Sequence, residues 1–238
     1  MKAENSQMSF LISLIERNFI SIKNVINQTN DIGLWKGKMG LAIYLFHLAR
    51  ITKNDIYEKE ANSLIDEVIE KVDHQVGINF SSGLAGIGAG FEYLAQHNFI
   101  EGDTDIILSE FDRLFGNSIY YRKLNNPGVS NGICGLGYYL YLRLNTKTED
   151  NTNLRTLKNR LRMIRIIDWL EDSIPTASNQ ELYDSYLLLL KVHSLDLMNY
   201  KVEKLMNVCT EKLSLFDAVS DNYEGLGIPS LKILLPWM

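Results

Sequence analysis

Cysteine, proline and long apolar runs are all scarce in this chain of 238 residues. Cys134 and Cys209 are its only cysteines, which excludes a disulfide framework and the paired spacing of a zinc ribbon. With only 4 prolines and no serine- or glycine-rich low-complexity stretch, no linker divides the chain, so one domain over residues 1–238 is expected. No apolar run reaches the roughly 18 residues of a membrane span. The segment Met1 to Gln7 is polar, without a basic start followed by an apolar core, so no secretory signal is expected. Together these absences make the reducing cytoplasm the expected location and leave no role for a membrane. The net charge of −5 removes the general electrostatic reason to bind nucleic acid, whose affinity rests on neutralised phosphates.

What the chain does contain is a repeated glycine turn. Gly37-Lys-Met-Gly40-Leu-Ala, Gly83-Leu-Ala-Gly86-Ile-Gly and Gly132-Ile-Cys-Gly135-Leu-Gly each open an apolar stretch rich in leucine and tyrosine, and a degraded copy stands at Asn222-Tyr-Glu-Gly225-Leu-Gly. The first three are 46 and 49 residues apart, and the last step of 90 is close to two repeats. The missing copy falls near residue 180, where Gln180-Glu-Leu-Tyr183 leads into Tyr186-Leu-Leu-Leu-Leu190 with its glycines lost. Five copies of one unit at this period predict a repeat or toroidal architecture in which each unit buries its apolar face against its neighbours.

Each unit reads as two helices. In Asn54 to His74, Ile56, Ala61, Leu64, Ile65, Val68, Ile69 and Val72 keep to one face and charged residues take the other, the pattern of an outer helix with one wet side. The stretch after each glycine turn, such as Leu41 to Ala49 or Tyr138 to Leu142, is apolar nearly all round and predicts an inner helix. Outer helices are expected near 8–26, 54–73, 103–122, 154–172 and 197–214, and inner helices near 38–51, 84–97, 133–145, 181–193 and 225–235, with no strand. Asn54 and Asp103 are the expected N-caps. The glycines are expected to allow positive φ and close helix approach, and converging inner helices would gather the turns and their unpaired N–H groups at one rim.

Phe80-Ser-Ser-Gly-Leu-Ala-Gly-Ile-Gly-Ala-Gly-Phe-Glu-Tyr-Leu94 and Asn131-Gly-Ile-Cys-Gly-Leu-Gly-Tyr-Tyr-Leu140 resemble the lanthionine synthetase C-like (LanC-like) family. That resemblance implies an α/α toroid of helical hairpins. It also implies a rim that, in the family's lantibiotic cyclases, holds zinc and activates peptide cysteine thiols for addition to dehydrated serine or threonine. The family builds seven hairpins, and the repeat here supplies five, giving a narrower ring or an open arc. The first helix, with Phe10, Leu11, Leu14, Ile15, Phe19, Ile20 and Ile22, and the end Leu234-Leu-Pro-Trp-Met238 offer no polar cap. Self-association or docking on a partner is therefore expected.

The cyclases' zinc ligands, a cysteine in one turn and a Cys-His pair in another, immediately precede the first glycine of the turn. The matching slots here hold Trp35-Lys36, Ser81-Ser82 and Ser130-Asn131, and none offers the thiolate or imidazole that a catalytic zinc site uses. Cys134 lies two positions beyond its slot and reads as a packed apolar residue, as does Cys209 on an outer helix. His47 and His97 fall toward the far ends of inner helices, and His74 and His193 close theirs, so no histidine cluster is expected at the rim.

These residues lead to an expected protein without metal or other cofactor and with zinc-dependent cyclase activity lost. It would bind a peptide or a peptide-maturation partner at a rim formed by Lys36, Ser81, Ser82, Ser130, Asn131 and Glu224. The alternative is an α/α-toroid enzyme, either a divergent thioether cyclase or a glycoside hydrolase using two of the rim carboxylates Asp31, Asp184, Asp221 and Glu224. A basic stripe, Arg155, Lys158, Arg162 and Arg165, is expected opposite Leu154, Leu157, Leu161 and Ile164 on the fourth outer helix. It reads either as a solvated face or as a dock for an acidic partner.

Overall fold

The computed structural model describes Asn24, residues 28–145 and residues 154–217, and every regular element among them is helical. The helices are α1 (Lys38–Thr52), α2 (Asp55–Lys71), α3 (Leu84–Gln96), the short α4 (Thr104–Ile107), α5 (Ser109–Tyr121), α6 (Ile133–Leu144), α7 (Leu154–Ser173), α8 (Asn179–His193) and α9 (Asn199–Asp217), with a 3-10 turn at Ile174–Thr176. The helices expected near 8–26 and 225–235, the turn at Asn222 and Glu224 lie outside the described residues. Four inner helices pack in chain order, α1 on α3, α3 on α6 and α6 on α8. This is the all-α hairpin arrangement expected of an α/α toroid or arc. The closest antiparallel pairs join an inner helix to the outer helix that follows it, α1 to α2, α6 to α7 and α8 to α9, so the structural unit runs inner then outer.

Side-chain character sets the two layers. Residues Leu84 to Leu94 of α3 and Ile133 to Arg143 of α6 are buried without exception. The amphipathic α2 buries Tyr57, Ala61, Leu64, Ile65 and Val68. Its expected apolar face is narrower than the pattern suggested, because Ile56 and Ile69 are exposed and Tyr57 takes the inward place. Asn54 and Asp103 cap their helices as expected, their side chains accepting from the amides of Ile56 and Asp105 at 3.0 and 2.8 Å. The outer helix expected over 103–122 is broken at Leu108, a fully buried residue with φ −94 and ψ 8.

The glycine turns depart from expectation in conformation. Gly37, Gly83 and Gly132 are N-caps with φ of −107, −109 and −123 and ψ near −170, extended backbone open to any residue. The requirement for glycine is close packing. Each turn occupies seven residues, Asp31 to Gly37, Gly77 to Gly83 and Asn126 to Gly132, and folds back on the helix it precedes. A Cβ on Gly40, Gly86 or Gly135 would overlap the carbonyl oxygen of Leu34, Phe80 or Val129, the buried fourth residue of the turn.

The same fold-back closes the helix N-termini. The amides of Lys38, Leu84 and Ile133 donate to the carbonyls of Asp31, Gly77 and Asn126 at 2.9, 2.8 and 2.8 Å. Met39 and Cys134 donate to Ile32 and Pro127 at 3.4 and 3.3 Å. The first amide of each of these helices is thus satisfied by its own turn, where the rim was expected to present it unpaired.

Replacing Gly86 by alanine should destabilise the fold by about 2–3 kcal/mol despite alanine's better helix propensity, because the methyl meets backbone that cannot swing aside. Gly77→Ala is the control, since its Cβ would find only the Asn79 amide at 3.4 Å. Urea unfolding of the two variants compares them directly, and near-equal midpoints would contradict the packing account.

Candidate functional site

Backbone hydrogen bonds string the three turns together at equivalent positions. The amide of Trp35 donates to the carbonyl of Ser81 at 2.9 Å, and the amides of Phe80 and Ser81 donate to the carbonyl of Ser130 at 3.1 and 3.0 Å. The glycine turns therefore lie side by side along one edge of the inner layer. The fourth unit joins this strip without glycines. Ser178 and Glu181 form a capping box at the start of α8, and the Asp184 carboxylate accepts from the Val129 amide. A side chain there does the work that a carbonyl does in the other turns. Burial pushes the Asp184 carboxyl up, opposed by its bonds from Gln180 and Val129.

The strip brings together five of the six expected rim residues, and Glu224 lies outside the described residues. Lys36 and Asn131 are exposed, and Ser81, Ser82 and Ser130 are half-buried. Ser81 Oγ donates to Asn79 Oδ1 at 3.0 Å and to Asn131 Oδ1 at 3.3 Å, which links the second turn to the third. Ser82 Oγ and the Ser82 amide also donate to Asn79 Oδ1, at 3.2 and 2.8 Å. Both hydroxyls keep acceptor lone pairs. The Trp35 indole Nε1 is buried without a hydrogen-bond partner. Of the carboxylates considered for a hydrolase, Asp31 caps the Gly33 amide at 2.7 Å, and Asp221 lies with Glu224 outside the described residues.

Among the described residues no three His, Cys, Asp or Glu side chains stand close enough to hold a metal ion. Cys134 is fully buried in the first turn of α6, its thiol 3.7 Å from Ser185 Oγ, and burial raises its pKa far above the usual thiol range. Burial pushes the Cys209 thiol up to about 11. Both are structural, as expected. His47 and His97 meet away from the rim. His47 Nε2 lies 2.8 Å from the Tyr93 hydroxyl, the His97 ring stacks on Tyr93 at 4.0 Å, and Arg50 covers Phe99 while donating to the His97 and Asn98 carbonyls at 2.7 and 3.2 Å.

Two further features escaped sequence reasoning. Arg143 of α6 is buried against Glu92 of α3 and Asp112 of α5, with Asp105 at 2.9 Å, and Tyr139 donates to Asp112 at 2.7 Å. Isolated charges in helical repeats carry little signal of such a cluster. The second is a cleft of about 790 Å³ between α5 and α7, lined by Tyr120, Leu154, Lys158, Leu161, Arg162 and Arg165 among others. It corrects the expected placement of the basic stripe. Leu154, Leu157 and Leu161 are exposed at 65%, 46% and 67%, so the leucines flank the cations on the outer surface. Met163, Ile166, Ile167 and Leu170 face the core.

A family model described as lanthionine synthetase C-like protein matches residues 3–179. No curated protein matches the chain. Among the described residues, no helix is long and apolar enough to cross a membrane.

The buried thiols and the histidine pair give two outcomes to measure. Iodoacetamide at mildly alkaline pH should leave Cys134 unmodified in the native protein and label it on unfolding, as read by mass spectrometry of its peptide. Burial, then Arg50 and His97, lower the His47 pKa below the unfolded value of about 6.5. The unfolded chain then binds the proton more readily, so this contribution is full above that value and is lost as pH falls through the lowered folded pKa. His47→Gln should shrink the loss of melting temperature between pH 7 and pH 5, and an unchanged loss would remove His47 as a source of acid sensitivity.

Proposed function

The chain belongs to the lanthionine synthetase C-like family, and on that premise we propose that it binds a peptide or a partner enzyme of peptide maturation at the turn strip, without zinc-dependent cyclase chemistry. The family's zinc does not fit the residues present. Its slots carry Trp35-Lys36, Ser81-Ser82 and Ser130-Asn131, and serine and asparagine do not replace thiolate and imidazole on zinc. Cys134 is no substitute, since a ligand thiol must lose its proton and this one is buried where the charged form is disfavoured.

The observation that carries the proposal is the alignment of those slots by hydrogen bonds between neighbouring turns. It supports a row of polar groups along neighbouring turns, with the Lys36 ammonium, the Ser82 hydroxyl and the Asn131 amide offered in turn. Such a row suits the repeating carbonyls and amides of a peptide better than it suits one small molecule.

Native co-purification identifies the bound species. Lys36, Ser82 and Asn131 replaced together by alanine should then weaken its binding more than about tenfold, at roughly 1 kcal/mol or less per lost hydrogen bond, with the helical circular dichroism spectrum kept. Binding that survives the triple replacement intact would move recognition off the rim.

A further inference from the structure

We propose that the cleft between α5 and α7 is a docking surface for an acidic, amphipathic helical segment of a partner protein or peptide, a site separate from the turn strip. Its lining comes from the two outer helices alone.

The first observation is a local excess of positive charge. Within residues 154–165 of α7 stand Arg155, Lys158, Arg160, Arg162 and Arg165 and no acid, whereas Asp168, Glu171 and Asp172 all lie in the remaining turns. This order opposes the helix dipole, which favours acids near the N-terminus and bases near the C-terminus. The acids have partners. Lys201 of α9 holds Asp168 and Glu171 at 2.7 and 2.5 Å, and Lys123 holds Asp172 at 2.5 Å. Of the cations lining the cleft, Arg155 pairs with Asp105 and Arg113 with Glu110. Arg162 donates to Asn159 Oδ1 at 2.8 Å and is drawn to Asp112, which also lines the cleft, whereas Lys158 and Arg165 meet no carboxylate in an ion pair among the described residues. On a chain of net charge −5, a local cluster of cations suits an anionic partner.

The second observation is the shape and chemistry around those cations. Gly116 of α5 leaves a notch that the Arg162 guanidinium fills, and a Cβ there would overlap it. Arg165 lies over the Tyr120 ring at 5.4 Å. Between the cations, Leu154 and Leu161 expose most of their surface, with Tyr120 at 67% opposite them. Arg162 is taken up by the Gly116 notch, but Lys158 and Arg165 stand exposed two helical turns apart, so carboxylates at the same period on an occupant helix laid along α7 would meet both while its apolar side chains cover the leucines. The exposed leucines favour such a peptide over nucleic acid. A nucleic-acid groove tracks phosphates with cations and stacks bases on aromatic rings, and the negative net charge opposes long-range attraction of a polyanion.

Fluorescence anisotropy with labelled synthetic peptides tests the proposal on the full chain. The probes are a helix of about four turns carrying glutamate and leucine at helical spacing, the same peptide with lysine for glutamate, and a short single-stranded oligonucleotide. The glutamate peptide should bind and weaken as salt rises to about 300 mM, and the lysine peptide should not bind. Lys158→Glu with Arg165→Glu should cost the glutamate peptide at least about tenfold, and Leu154→Ser with Leu161→Ser should cost about as much. All four residues are largely exposed or at the surface, so melting temperature should hold in both variants. The proposal is overturned if the glutamate peptide fails to bind, if either pair of replacements leaves its affinity unchanged, or if the oligonucleotide binds as tightly. A dimer in sedimentation that both variants dissolve would assign the face to a second copy and overturn it equally. Because none of these residues belongs to the turn strip, failure here leaves the rim reading intact, and failure of the rim replacements leaves this one intact.

Discussion

The structure depends on a contact between backbone and backbone. At three places the chain turns back on the helix it is about to enter, and a carbonyl six residues upstream comes to rest where the glycine has no side chain. That approach lets the carbonyl seven residues upstream accept the first helical amide, so the helix start is closed without a capping side chain. Neighbouring turns then bond to one another through the remaining amides and carbonyls. Inner helices are thereby held in line at one end by groups that every residue carries. The side chains beyond the turn, buried all round in α3 and α6, need only be apolar and of fitting size.

The other end of the inner layer is held by side chains. Arg143, Glu92, Asp112 and Tyr139 join α6, α3 and α5 in a buried cluster. Burial acts to raise the Glu92 carboxyl and the charge and hydrogen bond of Arg143 act to lower it, with burial the larger. The Arg143 Nε is left without a partner. A cluster of this kind is weak as a source of net stability, since desolvation offsets most of the attraction, but removing one member strands the others and costs several kcal/mol. It therefore selects one way of packing α3, α5 and α6. Lys38, buried at the start of α1 and paired with Glu67 near the end of α2, pins the first hairpin in the same manner.

Much of this was legible because the repeat is a repeat. The first three units carry the same start signal, and α1, α3, α6 and α7 begin within a residue of their expected starts. The fourth inner helix starts at Asn179 and not at residue 181 because Ser178 and Glu181 close a capping box, a start signal unlike the glycine turns of the other units. Burial around each helix was less legible. Ile56, Ile69, Leu154, Leu157 and Leu161 all sit at helical spacing for an apolar stripe and are all exposed. Periodicity reports that a helix has an apolar side, but which neighbour covers it depends on the outer layer's own packing. The reason for the glycines was likewise out of reach, since an extended φ and a left-handed φ admit the same residue and only coordinates separate them.

Within a turn, the positions divide by what the fold demands of them. The fourth residue, Leu34, Phe80 or Val129, is buried beneath the helix, and the seventh is the glycine N-cap. The fifth, Trp35, Ser81 or Ser130, gives its backbone to the strip through an amide or a carbonyl, a bond indifferent to the side chain. The sixth, Lys36, Ser82 or Asn131, makes no such backbone bond to a neighbouring turn. The strip's backbone bonds make no demand on the identity of the fifth and sixth side chains, and these are also the slots at which the resemblance places metal ligands. Chemistry located there can change without disturbing the backbone bonds of the strip. A chain can keep every glycine, every buried fourth residue and the whole strip of hydrogen bonds while exchanging thiolate and imidazole for hydroxyl, amide and ammonium. The family match and the absent ligands are therefore compatible, because fold and chemistry draw on different positions of the same seven residues.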